Sequence, residues 1–279
     1  MSPANVSTPG ANASLPPAAK TSNPGARPIA NPNARVPKLA LVRSFYRSLF
    51  LQAGWNPQGM QNLGFCYAIT PALHALYPGE HDRRRAIERH LEFFNCHPYL
   101  AAGILGATIF QETKVARGEL PPDAPSQLKR ALGPPFAALG DGFFWLALRP
   151  ASALAAALTV PALHLGAIAV FLILYNSVHL SGRIALFTQG VRRGPGVIEL
   201  VKRLQVASGT SLLKAAAAVM AGALAGHAVL RGLLPLRPGH AVMVAATIVI
   251  ATILLPRARP LIVLYLALAA GLAVGGGFF

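Results

Sequence analysis

Leu132–Leu148, LGPPFAALGDGFFWLAL, is apolar but interrupted twice, by Pro134-Pro135 and by Gly140-Asp141-Gly142. A helix needs about 20 residues to cross a bilayer, so this piece is too short to span one. Broken helix at membrane depth is tolerated only where the freed backbone is buried in protein or lines a cavity. Upstream, Tyr99–Phe110 is a second short apolar run, ended by Gln111-Glu112. A pair of short, Gly/Pro-interrupted apolar segments points to the binding region of a transporter. Asp141 places a carboxylate inside one of them, with Arg149 as its candidate ion-pair partner. Such a carboxylate is either functional or a structural pair or cap.

Outward from this stretch the chain reads as membrane helix. Ala151–Leu180 is long, with Pro161 and Gly166 inside it, and Leu212–Leu234, Ala241–Leu255 and Leu261–Phe279 follow. Counting the broken pieces apart, four spans are expected, the first bent at Pro161. Composition agrees: 53% of residues are hydrophobic and 12% charged, the latter about half the soluble average. Formal net charge is +16, and all nine acidic residues lie between Glu80 and Glu199. The basic residues flank apolar segments, which is topological and lipid-facing charge rather than a nucleic-acid surface. The fold class expected is an all-α integral membrane protein, with several transmembrane helices, interfacial amphipathic helices, and broken or re-entrant helical hairpins.

Residues 1–38 are rich in Pro, Ala, Asn and Ser, contain no acid and show no apolar period, so a disordered tail is expected. Positive charge from Lys20 to Arg47 places this end in the cytoplasm. Residues 39–98 hold interfacial helices: LALVRSFYRSLF from Leu39, with Arg43 and Arg47 one turn apart, and EHDRRRAIERHLEFF from Glu80, with Ile87, Leu91 and Phe94 on one stripe. Between them, Leu63–Tyr77 reads as an apolar piece broken at Pro71. Residues 99–150 form the re-entrant core, with 113–130 as a surface loop, and 151–279 the transmembrane region.

The polar focus of this apolar chain is Leu51–Leu63, LQAGWNPQGMQNL, which gathers Gln52, Trp55, Asn56, Gln58, Gln61 and Asn62. Amides beside an aromatic face suit a hydroxyl-rich ligand such as a sugar, because amides bond hydroxyls both ways and the ring covers C–H faces. An interfacial or helix-packing role is the other reading. No P-loop, nucleophile elbow, dinucleotide fingerprint or His-Glu-x-x-His motif is present. His81, His90, His97 and Cys96 lack the carboxylates that would complete a metal site, and the two cysteines, Cys66 and Cys96, suggest no disulfide framework. No cofactor, metal or catalytic residue is expected.

Three ordered blocks carry a resemblance. Gln52–Tyr67 (QAGWNPQGMQNLGFCY), Arg89–Leu105 (RHLEFFNCHPYLAAGIL) and Leu132–Pro150 (LGPPFAALGDGFFWLALRP) resemble the IID component of mannose-family sugar phosphotransferase systems. The likeness runs over residues 40–195 and is only general in the last third. It implies a non-catalytic permease subunit in a bacterial inner membrane, multi-pass, pairing with a IIC membrane subunit as a trimer of IIC–IID pairs. A mannose-type hexose would cross between them and be phosphorylated by cytoplasmic IIB, supplied by IIA. On that resemblance Trp55 packs on a sugar face, Gln52, Asn56 and Gln61 bond hydroxyls, Asn95 and His97 form a second wall, and Asp141 accepts hydroxyl protons or holds Arg149. Gly54 and Pro57 depart from the first block, and Ala137, Ala138 and Gly142 from the third. A regulatory or sensory membrane protein on the same scaffold is the alternative.

Overall fold

A computed structural model describes residues 30–203 and 206–230. Among them the chain is helical, with no strand, and its backbone pairs as isolated bridges only at Asn56–Met60 and Met60–Phe94. The helices are α1 (Lys38–Ser48), α2 (Asn62–Leu76), α3 (Glu80–His90), α4 (Ala101–Ala116), α5 (Ala124–Gly140), α6 (Arg149–Leu163), α7 (Gly166–Arg193), α8 (Val197–Arg203) and α9 (Val206–Leu230). A π-helical stretch, Asp141–Leu148, joins α5 to α6, and a 3-10 turn, Gly194–Gly196, joins α7 to α8. The spans expected at Ala241–Leu255 and Leu261–Phe279 lie outside the described residues, as does most of the tail. Two compact units result: one takes the chain to Asp141 and from His179 to Gln205, the other Gly142–Val178 and the chain from Val206.

In the first unit α4 is the central helix: every residue from Ala101 to Ile109 is buried. Phe65, Ile69 and Leu73 of α2 are fully buried beside Ile104, Leu105 and Ile109 of α4, and α2 packs on α1, α3 and α4. Small residues let α4 and α7 cross closely. A Cβ on Gly106 would run into the Phe187 carbonyl, and one on Gly190 into that of Gly103. Packing through small residues replaces the hydrophobic drive that lipid surroundings remove. In the second unit α6 packs on α9, and the outward residues are apolar: Leu165 is 82% exposed, and Ile173, Leu212 and Val219 are exposed too. Two continuous helical runs, Ala124–Leu163 and Gly166–Val201, are long and apolar enough to cross a membrane. Apolar side chains turned outward on such helices fit a protein whose solvent is lipid.

Several breaks read from the sequence are absent, each for a physical reason. Pro71 lies inside α2 without ending it. Its missing N–H frees the carbonyl of Tyr67 one turn earlier, and Arg47 of α1 donates to that oxygen at 3.3 Å while its guanidinium lies 4.5 Å over the Tyr67 ring. Pro134 and Pro135 lie inside α5; the carbonyls they free belong to Arg130 and Ala131, both exposed and open to other partners. The disturbance at Gly140-Asp141-Gly142 is absorbed as π-helical widening rather than a gap. The loop expected over 113–130 shrinks to 117–123, because α4 continues to Ala116 and Pro125 falls in the first turn of α5, where proline needs no N–H. Pro161 does not bend a single span either; α6 runs on to Leu163 and the chain turns at His164, whose φ of 49° leaves the helical region.

The near end of the tail is also held. Asn31 N–H donates to the Ala116 carbonyl at 2.9 Å and Arg117 Nε to that of Ala34 at 2.9 Å, so residues 31–34 cover the C-terminus of α4.

Candidate functional site

The loop that carries the Trp-Asn motif folds on its own amides. Asn56 and Met60 exchange backbone hydrogen bonds of 3.0 and 2.8 Å, and Asn56 Oδ1 accepts from Gly59 N–H at 2.7 Å. Asn56 Nδ2 donates to Asn62 Oδ1 at 3.0 Å, and Asn62 Nδ2 to the Leu91 carbonyl at 2.6 Å. Met60 closes the turn at φ 56°, a left-handed conformation uncommon for a side chain of this size. Gly64 lets the Leu51 carbonyl rest on α2, where a Cβ would collide with it.

The same loop is bonded to the second block. Gln61 N–H donates to the Phe94 carbonyl at 2.9 Å, and Gln61 Oε1 accepts from Cys96 N–H at 3.0 Å. Gln61 is buried, so its acceptor is committed there. The second block rests in turn on α5. A Cβ on Gly133 would lie 3.1 Å from the Asn95 carbonyl, and one on Gly140 would strike the His97 ring. Blocks far apart in sequence thus meet at residues 94–97, with Asp141 following directly on the glycine packed against His97.

The expected site residues differ in availability. Trp55 is 54% exposed, and Gln52, Asn95 and Asp141 are exposed as well. Asn56 is half-buried and Gln61 buried, both serving the loop's internal bonds. His97 is buried, its ring 4.9 Å edge-on from Tyr99. Burial first, then the positive charge of Arg183, lowers the His97 pKa to about 4. It is therefore neutral near pH 7, and a neutral imidazole presents one donor and one acceptor. Arg149 is exposed and opens α6; it belongs to the other unit from Asp141, so the pairing of the two stays a proposal.

Two groups went unread in the sequence. Tyr99 stacks on His179 at 4.4 Å, and the Arg183 guanidinium sits 5.3 Å over the Tyr99 ring while donating to the Ser48 carbonyl at 2.8 Å. Arg183 is buried; an ionisable residue inside an apolar helix is the signal by which the sequence could have shown it. The other group centres on Glu112, fully buried in α4. Arg89 grips both its oxygens at 2.7 Å, His90 Nε2 lies 2.8 Å from Oε1, and Tyr77 Oη donates to Oε2 at 2.7 Å. Arg89, on a helix that the sequence places at the interface, turns inward to this carboxylate instead. Burial pushes the Glu112 carboxyl up, but the hydrogen bonds from Arg89 and His90 outweigh it and leave it lowered to about 2. His90, lowered by burial to about 4, is neutral, so it donates to the acceptor-only carboxylate through Nε2–H. Ser126 Oγ and Lys129 Nζ of α5 reach the Arg89 carbonyl at 3.5 and 3.0 Å, which ties the block to α5.

Residues 35–269 match the family model described as the PTS system mannose/fructose/sorbose family IID component. The chain belongs to that family. Relatives of this IID chain include the PTS system mannose-specific EIID component of Escherichia coli (strain K12), 41% identical over 161 residues, 57% of this chain and 56% of the relative. The Fructose permease IID component of Bacillus subtilis (strain 168) is 34% identical over 167 residues, 59% of this chain and 60% of the relative. The IID chain thus aligns with little more than half the length of these curated relatives. A chain in the solved structure titled "CryoEM Structure of Mannose Transporter ManYZ and Microcin E492 (MceA) complex" matches with TM-score 0.56 and 29% identity, over 86% of this chain and 97% of that one. Another, titled "Structure of membrane protein", matches with TM-score 0.65 and 29% identity, over 86% and 96%. The all-α membrane architecture of the IID chain agrees with both.

Proposed function

We propose that this chain is the IID permease subunit of a phosphoenolpyruvate-dependent sugar phosphotransferase system. With a IIC subunit it forms the path of a mannose-type hexose, which a IIB subunit phosphorylates after receiving the phosphoryl group from IIA. The observation that carries the reading is the convergence of the Trp-Asn loop, the Asn95–His97 segment and the end of α5 on residues 94–97. It brings an exposed indole, exposed amides, a neutral imidazole and a carboxylate onto one scaffold, the groups that recognise hydroxyls and C–H faces together. The relatives' names, mannose-specific, fructose and sorbose, support a hexose as the cargo.

In this reading Trp55 stacks on the sugar, Gln52 and Asn95 bond its hydroxyls, and Asp141 accepts hydroxyl protons or pairs with Arg149. Asn56, Gln61 and His97 bond the sugar with the capacity their loop bonds leave, and hold the loop's shape. The chain itself transfers no phosphoryl group. It sits in a bacterial inner membrane, multi-pass, with its N-terminus in the cytoplasm, as one of three IIC–IID pairs.

The test is sugar-dependent phosphorylation in membranes holding the chain with its IIA, IIB and IIC partners, comparing wild type with Trp55→Ala at matched abundance. Activity that requires this chain and falls at least tenfold in the variant, roughly the loss of one aromatic–sugar contact of about 1.4 kcal/mol, is expected. A stable IIC complex that phosphorylates none of mannose, fructose or sorbose would overturn transport in favour of a regulatory role.

A further inference from the structure

Within the first unit, α1 and α7 leave a furrow of about 540 Å³ between them. One stripe from each helix lines it: Lys38, Leu41 and Phe45 from α1, and Phe187, Val191 and Arg192 from α7. Phe45 and Phe187 meet at 5.4 Å, while Lys38 begins α1 and Arg192 falls in the last turn of α7. The helices therefore run antiparallel along the furrow, with aromatic rings at one end and two cations at the other. Lys38 to Phe45 spans about 10 Å of helix. A second cavity of about 240 Å³ adjoins the cationic end through Leu41 and Val191, and adds Arg35, Lys114 and Arg117. No acidic residue lines either cavity. Lys114 and Arg117 are partly neutralised by Glu119 at 3.6 and 3.7 Å. Among the described residues, Lys38, Arg35 and Arg192 make no ion pair.

An occupant of this furrow needs an anion at one end and an apolar body along the rest. The chain's own N-terminal tail fails the first condition, because residues 1–38 contain no acid and carry Lys20 and Arg27. A second copy of the chain would bring the same cations against themselves. An acidic lipid meets both conditions, and its surroundings are already the chain's solvent. We propose that the furrow holds an anionic phospholipid, its phosphate on Lys38 and Arg192 and an acyl chain along Leu41, Phe45 and Phe187. Basic clusters at the edge of apolar helices attract acidic headgroups in this way.

The experiment uses the full-length chain extracted from membranes in mild detergent, titrated with phosphatidylglycerol or phosphatidylcholine. Retained lipid is read by native mass spectrometry and the unfolding midpoint by heating. Wild type is expected to keep one phosphatidylglycerol with roughly thirtyfold preference over phosphatidylcholine, the scale set by two cations at a headgroup. Lys38→Gln/Arg192→Gln should bring the preference close to unity, and Arg130→Gln, an exposed cation elsewhere, should leave it unchanged. Val191→Trp keeps both cations but fills the furrow, and should lose the bound lipid while remaining folded. Equal retention of the two lipids by wild type, a preference that survives in the double variant, or bound lipid in folded Val191→Trp would each overturn the site. So would inorganic phosphate giving the same stabilisation without lipid, or a co-purified membrane subunit that crosslinks to Val42→Cys in the furrow.

Discussion

Glu112 is the residue whose surroundings decide the most. A carboxylate with no exposed surface is tolerated only because Arg89, His90 and Tyr77 satisfy it together. Removing one partner of a buried pair costs about 3–5 kcal/mol, since the remaining charge stays desolvated. Glu112→Gln is accordingly expected to lower stability by about 3 kcal/mol, measured as a drop in the unfolding midpoint in detergent, and Arg89→Gln should do the same. The pH dependence follows from the same groups. His90 and His97 titrate near 6.5 when unfolded and are lowered to about 4 when folded, so the unfolded chain binds protons first as pH falls. Stability is then complete above pH 6.5 and declines as pH falls toward 4. Glu112, lowered from 4.5 to about 2, extends the decline: its contribution is present above 4.5 and disappears as pH falls toward 2. A midpoint that rose between pH 7 and 5 would show that the two imidazoles are not buried neutral.

At the scale of elements, the proline in α2 gives a testable pairing. Arg47 supplies from α1 the hydrogen bond that Pro71 takes from the Tyr67 carbonyl. Arg47→Met should therefore cost about 1–2 kcal/mol by leaving that oxygen without its donor. Pro71→Ala restores an N–H inside the helix, so the double variant should recover most of the loss, a coupling readable in a double-mutant cycle. Additive effects would mean that Arg47 acts through its contact with the Tyr67 ring alone. The same pair explains which parts of the structure were legible in the sequence. An amphipathic pattern located α1 and α3, and apolar runs located α2 and the long helices, because burial acts on the helix that carries it. Whether a proline breaks a helix depends on a donor from elsewhere, and Arg47 lies in another element. The Trp-Asn loop was legible as a polar focus, but the bonds of Asn56 to Gly59 and Asn62 depend on the turn at Met60. Glu112 escaped notice because its partners come from the end of α2 and from α3, and no local pattern joins them. Gly106 belongs to this scale too. Gly106→Ala pushes a methyl into the Phe187 carbonyl at the α4–α7 crossing, and the expected loss of about 1–3 kcal/mol is measurable by the same unfolding assay.

For the whole molecule, charge and helix length together give the proposed topology a test. The runs Ala124–Leu163 and Gly166–Val201 are each long enough to cross once, and a turn at His164 and Leu165 separates them. Arg192 and Arg193 end α7, and the chain up to the first residue of α1 carries Lys20, Arg27, Arg35 and Lys38 without an acid. On the proposal that the N-terminus is cytoplasmic, loops dense in Lys and Arg are expected on that side, and the turn at Leu165 is expected on the other. Both native cysteines, Cys66 and Cys96, are buried, and burial pushes each thiol upward, away from the reactive thiolate. Introduced cysteines can therefore be read against a quiet background. A membrane-impermeant maleimide should label Leu165→Cys in intact cells, because Leu165 is exposed at the turn. It should label Ser7→Cys only after the membrane is permeabilised. Labelling of both in intact cells would put the tail outside and reverse the orientation. Labelling of neither until permeabilisation would mean that the two runs form a hairpin entering from the cytoplasm, with Leu165 inside the bilayer or at its inner face.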